Sequence, residues 1–449
     1  MPYDIRHVTA AFLGGIAVTY SLFIIHQYNQ SSESSNSSAR RNTRFSLWPS
    51  VHLNDHNQPQ EQIGEGIEST IGNTPLILIK SLSQATGCTI LAKCEFLNGA
   101  GNSPKDRVAL SIINRAEGAG LLTPYSGDTI YEGTVGSTGI SLATLARARG
   151  YKAHILMPND QAHEKSDLLL KLGATVERVT PAPIVDQAHF VNRARTLARE
   201  HTADPDRPGR GLFADQFETE ANWRAHYDGT APEIYEQCGQ RLDAFVAGAG
   251  TGGTLSGCAM FLKQKLPGMR IVLADPQGSG LYNKVKHGVM FHSLEREGTR
   301  RRQQVDTVVE GIGLTRSTGN FEAGAELIDD AVKVNDHQAR RMARWLCEKD
   351  GIFCGSSSAV NCKYYVKFYS FSATVLTAVQ YGVSLNSNVP VADTIIGFAA
   401  VNTAMELGPG HGVVTILCDS GMRHLSKFWK QVGEIGGEDD TTFEELMKG

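Results

Sequence analysis

The sequence predicts an α/β protein built on mostly parallel sheet. Three observations carry that reading: short β-branched runs alternate with helix-patterned stretches from about Gly64 onward, glycine-rich loops follow several of the runs, and the chain can bury a large core. At 449 residues and 41% hydrophobic composition, it has room for one large or two ordinary domains. Ile90-Leu91-Ala92 precedes a loop and then Val108 to Ala119 at helical spacing, and Thr129-Ile130-Tyr131 runs into another glycine loop. Ala153 to Met157, Ala244 to Ala247, Ile271 to Ala274 and Val413 to Cys418 repeat the strand-like pattern. In such sheets ligands collect at the carboxyl ends of strands, where the loops leave.

The formal net charge of -4 offers no concentrated basic surface, so nucleic acid is not an expected partner. Eight cysteines (Cys88, Cys94, Cys238, Cys258, Cys347, Cys354, Cys362, Cys418) lie in apolar stretches without metal-ligand spacing. They read as reduced core thiols, and no metal site is expected. Val8 to Ile25 is nearly all apolar and uncharged, and a Ser/Asn-rich run and Arg40, Arg41 and Arg44 follow it. That pattern predicts a membrane anchor over residues 1–28, a disordered linker over 29–62 and a globular body over 63–435. The arginine flank places the body in the cytosol, with the mitochondrial outer membrane as one candidate surface. An acidic tail occupies 436–449.

Three loops carry candidate chemistry. Gly250-Thr251-Gly252-Gly253-Thr254 follows the strand-like Phe245-Val246-Ala247 and opens a helix-like stretch, Leu255 to Lys265. Glycines let backbone come close, and amide hydrogens at a helix start make an anion site. Its ending is not that of a nucleotide P-loop. A second loop, Glu132 to Gly139, offers amides and hydroxyls without charge and suits a small carboxylate. In the third, Asn98 to Arg107, Lys105 follows a glycine turn at a helix start, where the helix's positive end favours a neutral amine able to form an imine.

These strings resemble the cysteine synthase and cystathionine β-synthase family. Ile71-Gly72-Asn73-Thr74-Pro75-Leu76, Lys93 to Asn98 and Lys105-Asp106-Arg107 carry the likeness first. It continues in Asp215-Gln216-Phe217, Asn222, Ala225-His226-Tyr227, Gly250 to Thr254 and Ala274 to Ser279, then in Val309 to Gly313, Gly355 to Ala359 and Cys418 to Gly421. The resemblance implies a tryptophan synthase β-like fold of two sheet-based domains with pyridoxal phosphate between them, the smaller (about 104–203) inserted in the larger. It implies that Lys105 binds the cofactor covalently and then serves as base. The phosphate falls to Gly250, Thr251, Gly252, Gly253 and Thr254, the substrate carboxylate to Thr134, Gly136, Ser137 and Thr138, and the ring nitrogen to Ser420, with Asp419 the neighbouring alternative. Ser137 also stands where the family has a ring-contacting asparagine.

The implied reaction is β-replacement, making L-cysteine from O-acetyl-L-serine and sulfide, in a homodimer. Serine plus homocysteine is the alternative within the family, favoured by His226-Tyr227-Asp228 and Asp275-Pro276 and disfavoured by the short tail after Lys430. A non-catalytic membrane-tethered homologue is the reading outside enzymes. The family pattern is interrupted over 363–397, far beyond an ordinary connection. That span reads as a translated intron: Cys362-Lys363-Tyr364 can be encoded by TGT AAG TAT, which holds a donor-like GTAAGT, and Ile396-Gly397 by an acceptor-like ATA GGN. In-frame removal would join Cys362 to Phe398.

Overall fold

Phe245 and Val246 point to opposite faces of one strand, and both are fully buried. A strand apolar on both sides must lie inside a sheet covered twice, which is the condition for parallel sheet. The computed structural model describes residues 63–291, 307–362 and 400–433. Its strands are β1 (Leu76–Leu78), β2 (Thr89–Cys94), β3 (Thr129–Gly133), β4 (Lys152–Pro158), β5 (Thr175–Val179), β6 (Gly211–Phe213), β7 (Ala244–Gly248), β8 (Arg270–Pro276), β9 (Asp330–Val334) and β10 (Gly412–Leu417). They form a six-stranded sheet in the order β1-β2-β10-β7-β8-β9 and a four-stranded sheet in the order β5-β4-β3-β6. All neighbours are parallel except β1 and β2. The smaller sheet extends to Phe213, beyond residue 203.

Helical spacing supplies the covers. On one face of the large sheet, Ala339, Met342, Ala343 and Leu346 of helix Asp336–Asp350 pack with Val246, Val272 and Ala274. On the other, Leu255, Cys258, Ala259 and Leu262 of helix Gly253–Lys265 pack with Phe245, Ile271 and Leu273. The small sheet buries Ile130, Ala153 and Ile155 against Val108, Ile112 and Ile113 of helix Lys105–Gly118 and Leu142 and Leu145 of helix Ser137–Ala148. A full capping box starts the 336–350 helix: the Asn335 side chain accepts from the Gln338 amide, and Gln338 accepts from the Asn335 amide.

The membrane expectation is corrected. Among the described residues no helix is long and apolar enough to cross a membrane. The longest of them, Asp336–Asp350, has 15 residues, about 22 Å against the roughly 30 Å of a hydrocarbon core. The stretch 8–25, on which an anchor was expected, lies outside the described residues, as do the linker, 363–397 and the acidic tail. The tether, and the cytosolic or mitochondrial placement that depended on it, therefore have no support and are withdrawn.

Candidate active site

Four loops leave carboxyl ends of strands toward one place: those after β2, β3, β7 and β10. A cavity of about 530 Å³ opens there, lined by Lys105, Thr134 to Thr138, Gly250 to Gly252, Thr254 and Val309 to Leu314, with Ser357, Cys418 and Asp419.

Lys105 is the first residue of its helix, with Pro104 as cap at φ -60. The turn before it needs Asn102 in the left-handed region at φ 49. Asp106 fixes this turn from beneath: one carboxylate oxygen accepts from the Gly101 amide at 2.7 Å, the other from Ser141 Oγ at 2.5 Å. Burial lowers the Lys105 pKa, while the charges of Cys418, Asp419 and Glu95 pull it back up. The expected direction holds, and its main cause is burial rather than the helix end.

The Gly250 loop is a cradle that side chains would fill. A Cβ on Gly250 would stand 2.0 Å from the Gly311 carbonyl, and Gly252, at φ +92, would meet the Phe321 backbone at 2.5 Å. The helix at Gly253 starts without a side-chain cap, so its first amides are free to face an anion. Asn222 Nδ2 donates to Thr251 Oγ1 at 2.8 Å, leaving that hydroxyl's proton to be given elsewhere. Thr254 Oγ1 lies 3.1 Å from His226 Nε2, and Thr230 Oγ1 lies 2.9 Å from Nδ1. Burial, then the charges of Lys105 and Arg107, hold the His226 pKa well below its ordinary value, so the imidazole is neutral.

Across the cavity a second uncapped helix begins at Ser137. Thr138 Oγ1 donates to Gln216 Oε1 at 2.5 Å, and Arg423 Nη1 donates to Ser137 Oγ at 3.3 Å. Gln216 in turn donates to Glu132, whose carboxyl burial pushes up to about 8. Asp419 has one oxygen 2.8 Å from His424 Nε2 and the other buried without a partner among the described residues. Burial works against charge on His424, but Asp419 and then Glu310 outweigh it and raise its pKa. Glu310 is met by Lys165 at 3.1 Å, from the helix His163–Lys171 beside the small sheet.

A lysine that shares one cavity with two uncapped helix starts, with glycines that leave room for a phosphate, fits pyridoxal phosphate. Residues 67–370 match the family of the "Pyridoxal-phosphate dependent enzyme". The chain belongs to the cysteine synthase and cystathionine β-synthase family of pyridoxal-phosphate-dependent enzymes. It is similar to "Cysteine synthase 2" of Emericella nidulans, 63% identical over 86% of this chain and 84% of that one. "Cysteine synthase 2" of Neurospora crassa is 57% identical over 98% of this chain and 94% of its own. A crystal structure of O-ureido-L-serine synthase superposes with a TM-score of 0.64 at 27% identity, covering 84% of this chain and 98% of the other. The fold is the tryptophan synthase β-like one of this pyridoxal-phosphate family.

Of the residues expected for this family's site, Lys105, Thr134, Gly136, Ser137, Thr138, Gly250, Thr251, Gly252 and Thr254 line the cavity. Gly253 stands just behind as the first helical residue, with its Cβ position 2.0 Å from Asn222 Oδ1. Ser420 does not line it: its side chain accepts from the Met422 amide and caps the short turn that follows. Cys418 and Asp419, which follow β10 directly, line the cavity, while Ser420 bridges to Cys354. Sequence reasoning gave no role to Ser357, Arg423, His424 or the wall Val309 to Leu314. The signals were the glycine spacing of Gly311 and Gly313 and the serine run at 356–358.

Proposed function

We propose that the cavity carries β-replacement on O-acetyl-L-serine with sulfide, and that Lys105, in one cavity with two uncapped helix starts, is the group on which the reaction turns. The chain is a pyridoxal-phosphate-dependent transferase of the cysteine synthase type, in line with its fungal relatives. Pyridoxal phosphate, when bound, supplies the electron sink for negative charge at the substrate's α-carbon.

The remaining work falls to the protein's own side chains. Gly250 to Thr254 hold the phosphate end with backbone amides and two hydroxyls. Thr134, Gly136, Ser137 and Thr138 take the substrate carboxylate at the start of the opposite helix, where the positive end of the peptide dipoles favours it. Lys105 would hold the cofactor, and its Nζ, whose ammonium form burial disfavours, would take the α-proton of the bound substrate. Asp419, the alternative to Ser420 for the ring nitrogen, lines the cavity with one buried oxygen that has no partner among the described residues, and it would take that role. The apolar side of the wall, Val309, Ile312, Leu314 and Ile416, excludes water from the reacting carbon.

The test is spectroscopic and uses the full chain. The visible band of a lysine-bound cofactor should vanish in Lys105→Ala, shift on adding O-acetylserine and return on adding sulfide. A band that ignores O-acetylserine and answers serine would replace this reading with the serine and homocysteine one.

A further inference from the structure

Lys93 and Glu95 are fully buried, and Arg107 is 6% exposed. Desolvating such ions costs several kcal/mol each before pairing, and apolar residues often stabilise a core as well. A buried cluster of two cations and two anions is therefore weakly explained by stability. The geometry points to a positioning role: Lys93, Glu95, Arg107 and Glu233 form a buried clamp that sets where the loop presents Lys105. The inference rests on Lys105 being the cofactor lysine.

Arg107 lies two residues after Lys105 on the same helix, and its planar fork is engaged on both sides. Nε and Nη2 donate to the two Glu95 oxygens at 2.8 and 2.9 Å, and Nη1 and Nη2 donate to the two Glu233 oxygens at 2.7 and 2.8 Å. Lys93 Nζ closes the cluster at 2.6 Å from Glu233 and donates to the Thr74 carbonyl. Glu95 also receives Asn98 Nδ2 at 3.0 Å, and Asn98 Oδ1 accepts from the Gly72 amide at 2.8 Å. One carboxylate thus grips the start of the lysine loop through Asn98 and its end through Arg107. Between them lies the whole segment that carries Lys105, including the strained Asn102. Glu233 ties the same arginine to the helix Ala231–Gln237, which follows directly on the turn bearing His226. The clamp therefore fixes Lys105 relative to the Thr254 side of the cavity. Only a fork-shaped cation can satisfy both carboxylates at once.

Arg107→Lys keeps the charge and loses the fork. In the cofactor-loaded full-length protein we expect kcat to fall on the order of 100-fold with KM changed only a few-fold, because a displaced reacting group loses rate out of proportion to contact. The pH midpoint of the lysine-dependent visible band should move as well, with the thermal transition still cooperative. Asn98→Ala, which frees only the loop's start and leaves all four charges paired, should show the same two changes more weakly. An unchanged band midpoint and unchanged kcat per folded molecule in either variant would overturn the clamp, as would a loss of kcat in Arg107→Lys that merely tracked the unfolded fraction. If the band persisted in Lys105→Ala, the cofactor-lysine assignment would fall first, and this inference with it.

Discussion

At the scale of single residues, the site depends on groups whose protonation burial has changed. Lys105→Ala removes the cavity amine expected to hold the cofactor, so we expect kcat to fall by at least about 1,000-fold, measured as cysteine formation with saturating cofactor. Glu132 tests burial in the opposite sense. Its carboxyl rises from an ordinary 4.5 to about 8, so the folded chain keeps a proton that the unfolded chain releases. Its contribution to stability is therefore full below about 4.5, declines as pH rises through that window and levels off above about 8. Urea unfolding across that range should show the decline in the natural protein and a flatter dependence in Glu132→Gln. Residue identity was also where the sequence was hardest to read. The glycine turn and helix start singled out Lys105 as a candidate, but its cofactor role came only from the family resemblance. Asp419 and Ser420 could not be told apart, because which of the two faces the cavity depends on how the chain leaves β10, and no local pattern encodes that exit.

At the scale of elements, the chemistry is set by where helices begin. Helices Gly253–Lys265 and Ser137–Ala148 both start uncapped, which leaves amide donors unspent on the chain itself. Gly252→Ala should abolish cofactor retention: a side chain at φ +92 costs on the order of 1–2 kcal/mol, and its Cβ would run into the Phe321 backbone. Equilibrium dialysis of the variant against pyridoxal phosphate, with circular dichroism to confirm folding, measures this. Retention at the natural level would remove the Gly250 loop from the phosphate site. The glycine loops were legible in sequence as strand-to-helix turns. The wall Val309 to Leu314 was not, because it belongs to no regular element and acquires its place only by packing across from Gly250.

At the scale of the whole molecule, two sheets meet across one cavity, and a few side chains bridge it: Lys165 to Glu310 on one side, Arg423 to Ser137 and the Gly101 carbonyl on the other. A ligand gripped from both sides holds the sheets together, so cofactor at 100 times its dissociation constant should add about 2.7 kcal/mol. Removing the cofactor should then lower the melting temperature by about 3 °C, and an identical transition with and without it would contradict a site between the sheets. The alternation of strands and helices gave the fold class, because parallel sheet demands buried strands and covering helices in turn. Strand order stayed hidden, since β2 and β10 pair although more than 300 residues part them.

That pairing has a consequence for how the protein is made. β10 lies between β2 and β7, and it leaves the ribosome after every other described strand. Until it arrives, β2 and β7 present open edges to the surrounding solution, and no neighbour in the nascent chain can close them. The growing polypeptide therefore carries its reactive lysine and its phosphate loop on two unjoined halves. A message cut short before Gly412 would yield a chain with sticky strand edges, prone to aggregate during synthesis, rather than a slightly smaller enzyme.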